Sequence, residues 1–168
     1  MNKKKMLGTL AMILVLMGYA VAAVGADPAL HGRWVSDDNE EGGIRFSNDH
    51  VELFIDEFPL IRGTYTTSAN TITIRFTELH GDFLSMLFEE DEMPMYFPSS
   101  WLTQSQIMTV VENGLEYLGI PIEDILYYLD SMSAMLSEFF TTETETYEVS
   151  GNTLTLTIFG DTATFTRI

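Results

Sequence analysis

The chain of 168 residues contains no cysteine. That excludes a disulfide framework, a lipid-modified cysteine and thiol nucleophilic catalysis. Lysine is almost as scarce, because Lys3, Lys4 and Lys5 are the only ones. Beyond them five arginines face 25 acidic residues, all of which follow Ala26. A surface with that balance repels phosphate backbones and anionic headgroups, which argues against nucleic-acid binding and electrostatic membrane docking. A Gly-x-Ser-x-Gly elbow is also missing, and none of His31, His50 and His80 lies beside a suitable serine, so serine-type hydrolysis has no support. Carboxylates are so abundant that no pair stands out for acid–base work. The acidic runs at 37–41 and 89–92 lack the one-three-five spacing and the glycine of a calcium loop, and they read as solvated loops. No enzyme, cofactor or metal centre is expected.

The first 26 residues combine a basic start, "MNKKK", with an uncharged apolar stretch and the small-residue exit Val24-Gly25-Ala26. They read as a signal peptide cleaved after Ala26; the competing reading is an uncleaved N-terminal anchor. Residues 27–168 remain for one secreted or periplasmic domain, large enough for a single core.

From 31 to 77 the pattern is short, alternating and punctuated by turns. Strands are expected at 31–36, 43–47, 50–56, 62–67 and 71–77, and again at 144–149, 153–159 and 162–167. Residues 78–143 follow another rule. A short helix begins at Asp82. A second runs from Ser100 to Gly119, with Met108, Val111, Leu115 and Leu118 on one side. A third opens at Pro121 and carries the stripe Ile122, Ile125, Leu129, Met132, Leu136 and Phe139. The fold class expected is mainly β: an eight-stranded antiparallel up-and-down barrel with a helical insertion between strands five and six.

Residues 64–74, "TYTTSANTITI", and 146–156, "TYEVSGNTLTL", are identical at six of eleven aligned positions. In a meander the second, fourth and sixth connections share one end. Here they are "SND" (47–49), "SAN" (68–70) and "SGN" (150–152), so the duplicated segment is the strand–turn–strand of two hairpins at that end. Gly151-Asn152 suits a two-residue turn, whereas Ala69 fits less well and points to a wider one. The opposite end collects 37–43, 57–63, the insertion and the short Gly160-Asp161 connection.

Gly32-Arg33-Trp34 at the start of the first strand resembles the Gly-x-Trp opening of lipocalins. Arg167, in the last strand, resembles the arginine that packs across that tryptophan. The family's Thr-Asp-Tyr turn is replaced by Ser150-Gly151-Asn152, so the chain is similar to divergent lipocalin-like (calycin) proteins of bacterial envelopes. The resemblance implies a barrel that binds a small apolar molecule. All six methionines after residue 26 lie in the insertion, joined by many aromatics. From these, Met86, Phe88, Met93, Met95, Tyr96, Phe97 and Trp101 are the expected ligand-binding residues beneath a helical lid. Met93 and Met95, with Met86 and His80 nearby, also form a weaker soft-metal candidate. The alternative is a filled barrel whose helices dock an envelope protein or a second copy; polar changes along 122–139 would then alter assembly.

Overall fold

The computed structural model describes residues 26–38, 42–88, 96–140, 142–158 and 161–168. Two compact units emerge: one runs to Phe76 and resumes at Thr141, and the other is Thr77–Phe140.

The first unit is a closed antiparallel barrel. Its strands are β1 (Gly32–Ser36), β2 (Gly42–Ser47), β3 (His50–Ile55), β4 (Phe58–Ser68), β5 (Thr71–His80), β7 (Thr142–Ser150), β8 (Thr153–Ile158) and β9 (Asp161–Arg167). The order is β4-β3-β2-β1-β9-β8-β7-β5, and β4–β5 pairing closes the ring. All eight expected strands form. Two run longer than expected, because β4 starts at Phe58 and β5 reaches His80. The expected long connection at 57–63 is instead a two-residue turn, Asp56-Glu57, between the partners Ile55 and Phe58. Pro59 obscured this strand in the sequence; a register shift between Leu53 and Phe54 accommodates it.

Strand alternation decides what fills the barrel. Trp34 pairs with Ile44, which pairs with Leu53, so these three share the inner face. Phe46, Tyr65, Ile72, Phe76, Tyr147, Leu156 and Phe165 are buried as well, and Phe46 meets Tyr65 edge to face at 4.9 Å. Ile74, on the same strand face as Ile72 and Phe76, is half-buried. Each large apolar side chain removed from water contributes roughly 1.5–3 kcal/mol. Gly63 lets β4 and β5 meet, since a Cβ there would collide with the Arg75 carbonyl.

One end of the barrel is built by repetition. The β2–β3, β4–β5 and β7–β8 hairpins each begin their two-residue loop with a left-handed residue: Asn48 (φ 51°), Ala69 (φ 53°) and Gly151 (φ 61°). The wider turn expected at Ala69 is absent, because strand pairing on both sides overrides the residue's preference. In each loop the second carbonyl accepts an N–H from a later strand. Asp49 accepts from Tyr65 at 2.9 Å, Asn70 from Tyr147 at 2.8 Å and Asn152 from Arg167 at 2.8 Å. Tyr65 and Tyr147 are the equivalent tyrosines of the duplicated segment, so the repeat encodes one fastening used at both places.

A 3-10 turn at Pro28–Leu30 packs against the same region. Leu30 is fully buried, and its carbonyl accepts from Trp34 Nε1 at 2.7 Å. The Arg167 guanidinium lies 4.3 Å from the centre of the Trp34 ring and donates to the Ala29 carbonyl.

The second unit contains the end of β5, the helix α1 (Gly81–Phe88), the short strand β6 (Trp101–Thr103) and the helices α2 (Gln104–Tyr117) and α3 (Ile122–Phe139). The helix expected from Ser100 starts four residues later. Leu79 pairs with Leu102 in an antiparallel ladder instead, and both are buried.

Candidate functional site

The α2–α3 hairpin is held by local chemistry. Thr103 caps α2 in a reciprocal box: the Gln106 N–H donates to Thr103 Oγ1 at 3.4 Å, and the Thr103 N–H donates to Gln106 Oε1 at 2.9 Å. At the other end Gly119 (φ 71°) donates to the Glu116 carbonyl and Ile120 to the Leu115 carbonyl. These paired bonds form a Schellman stop. Pro121 then opens α3, with Glu123 and Asp124 in the first turn facing the positive end of the helix dipole.

Burial falls on a narrower stripe than the spacing suggested. In α2 it covers Ile107, Val111 and Leu115; Met108 is half-buried and Leu118 is exposed. In α3 it covers Ile125, Met132, Leu136 and Phe139. The stripe expected along 122–139 is therefore mostly core. Phe139 meets Phe83 edge to face at 6.5 Å.

Part of what remains outside is apolar. Tyr117 is 92% exposed, Ile122 58%, Leu126 61% and Tyr127 73%, with Leu118 and Tyr128 also open to solvent. Leu118 and Ile122 flank the turn, and Leu126 lies one helical turn beyond Ile122, so these residues gather at one end of the hairpin. Residues 125–129, Ile-Leu-Tyr-Tyr-Leu, are apolar around more than a full turn of α3, a pattern that belongs to a buried helix, yet among them only Ile125 is buried. Sequence reading along a single stripe missed Leu126 and Tyr127. The unbroken apolar run at 125–129 is the signal that could have found them.

The residues expected to bind a ligand are only partly gathered. Phe88 and Phe97 come together, ring centres 5.5 Å apart and tilted by 33°. Phe97 is buried, while Met86 and Phe88 are half-buried. Trp101 pairs edge to face with His80 at 5.1 Å, and Tyr96 is 85% exposed. Met93 and Met95 lie outside the described residues.

Two tyrosines and two glutamates of the barrel are wholly or partly buried. Tyr147 Oη donates to Asp27 Oδ2 at 2.8 Å. Burial first, and then this bond and the Asp27 charge, push the Tyr147 phenol up to about 12. Tyr65 is likewise pushed to about 12, by burial and then by Asp27, Asp49 and Tyr147. Glu143 and Glu145 share the face of Ile74 and Ile72, their ladder partners. Burial, then the Glu143 charge, raises the Glu145 carboxyl above its ordinary value.

Among the described residues no group of three or more His, Asp or Glu could hold a metal ion, and no helix is long and apolar enough to cross a membrane. Comparison of the chain with protein-family models, curated proteins and solved structures finds no match.

Proposed function

We propose that this chain is a non-enzymatic, secreted or periplasmic protein in which a lipocalin-like barrel carries a docking surface for another protein, located on its helical unit. The observation that carries the reading is the exposure of Leu126 and Tyr127 together with Tyr117 and Ile122. Contiguous apolar surface on a water-soluble domain marks a place where something binds. Tyrosine is enriched at the energetic centres of such interfaces. The large side chains inside the barrel favour a scaffold role for that unit. The packing of Arg167 over Trp34 supports the lipocalin-like resemblance.

A photo-crosslinking residue at position 126, expressed in the native cell, tests this reading, with the exposed barrel residue Thr64 as control position. A discrete adduct from 126 and none from 64 is the expected result. Equal labelling at both, or none at either, refutes it.

The Phe88–Phe97 stack beside half-buried Met86 supports a second reading, a small apolar ligand held by the helical unit. Native mass spectrometry would then find a discrete extra mass on the monomer, lost on denaturation. A bare monomer would refute it.

A further inference from the structure

We infer that the partner of the α2–α3 surface is a cationic amphipathic segment of another protein, an inference that rests on the docking reading above. The unit Thr77–Phe140 contains 12 aspartates and glutamates and no lysine or arginine. All five arginines of the chain beyond Lys5 belong to the barrel.

The charge also has local order. On the exposed side of α3, Glu123 precedes Leu126 by three residues and Tyr127 by four; Asp130 follows them by four and three. Residues so spaced lie side by side on a helix. Two exposed apolar side chains are thus bracketed by two exposed carboxylates. The complementary surface is a ridge of aliphatic or aromatic side chains with lysine or arginine about one helical repeat apart, as on an amphipathic helix.

A second copy of this chain is a poor occupant. A two-fold interface sets the same patch against itself, so the carboxylates of Glu123 and Asp130 would meet those of the second copy with no lysine or arginine in the unit to intervene. Anionic lipid is disfavoured for the same reason.

The test uses protein purified from cells expressing the whole 168-residue sequence. The probe is a fluorescent 18-residue amphipathic peptide of leucine and lysine, and the control is the same composition scrambled to remove its apolar face. The amphipathic peptide is expected to bind at least about tenfold more tightly than the scrambled one, and to weaken several-fold between about 50 and 300 mM salt. L126N combined with Y127S should weaken binding by about tenfold or more. E123Q combined with D130N should weaken it by about fivefold and flatten the salt dependence, with the apolar patch intact.

Equal binding of both peptides, or wild-type binding by both double variants, would reduce the effect to unspecific attraction and overturn the inference. Binding to uncharged vesicles with none to the peptide would also overturn it, in favour of a lipid surface. An adduct at position 126 whose partner contacts it through a neutral or acidic surface would defeat the inference while leaving the docking reading intact. Absence of any adduct together with absence of peptide binding defeats both.

Discussion

At the residue scale, Ala69 and Gly151 occupy the same place in two copies of one turn, with φ of 53° and 61°. A Cβ in the left-handed region costs roughly 1–2 kcal/mol, partly offset by the lower chain entropy of alanine when unfolded. Ala69→Gly should therefore stabilise the protein by about 1 kcal/mol, and Gly151→Ala should destabilise it by a similar amount. Thermal melts would show shifts of about 2–4 °C in opposite directions. A loss of stability in both variants would mean that the two turns are not equivalent. Tyr147 supplies a pH dependence. Its phenol is held at about 12 in the folded protein but ionises near 10 when unfolded, at about the usual tyrosine value. The stability gained by keeping it neutral is thus full below about pH 10 and is lost as pH rises toward 12. Tyr147→Phe should melt lower at pH 8, having lost the bond to Asp27 worth roughly 1 kcal/mol. It should also lose less stability than wild type between about pH 10 and 11.5. Parallel pH curves would count against this assignment.

At the element scale, Thr103 decides where α2 begins, because its side chain and that of Gln106 satisfy each other's backbone donors. Thr103→Ala should cost about 1 kcal/mol, read as faster hydrogen exchange at the first turn of α2 while the strands of the barrel keep their protection. Uniform loss of protection would show instead that the two units unfold together. The same stretch marks the limit of what the sequence discloses. The barrel strands are legible because short runs of polar and apolar residues alternate between turns, most plainly in Thr71–Phe76. Trp101-Leu102-Thr103 reads as helix in the sequence because three residues are too few to display a period, and only the ladder to Glu78–His80 makes them a strand. Part of the candidate site was legible as a concentration of aromatic and methionine side chains in the insertion. Which of them face water was not, because Ile122, Ile125, Leu126 and Tyr127 look alike in one dimension and differ only in what covers them.

At the scale of the whole molecule, charge dominates. Five arginines among 25 acidic residues beyond the first 26 make the folded state repel itself, since compaction draws like charges together. Raising ionic strength from about 10 mM to about 0.5 M shortens the screening length from about 30 Å to a few ångströms. The melting temperature should rise over that range. A flat or falling curve would show that attractive pairs such as Arg45–Glu52, 2.8 Å apart, outweigh the net repulsion. The same screening should weaken capture of a cationic peptide by α3, so added salt would move folding stability and partner affinity in opposite directions.

The chain leaves the barrel along β5 and returns along β7, where Arg75 and Thr142 are partners on the same rung. Everything between them therefore starts and finishes within the width of one hairpin. A connection of that kind is entropically tolerant of length, since each doubling adds only about 0.6 kcal/mol to the closure. The rung acts as a graft point. Evolution, or an engineer, can exchange what is carried there while the repeated fastenings at Tyr65, Tyr147 and Arg167 keep the stock unchanged.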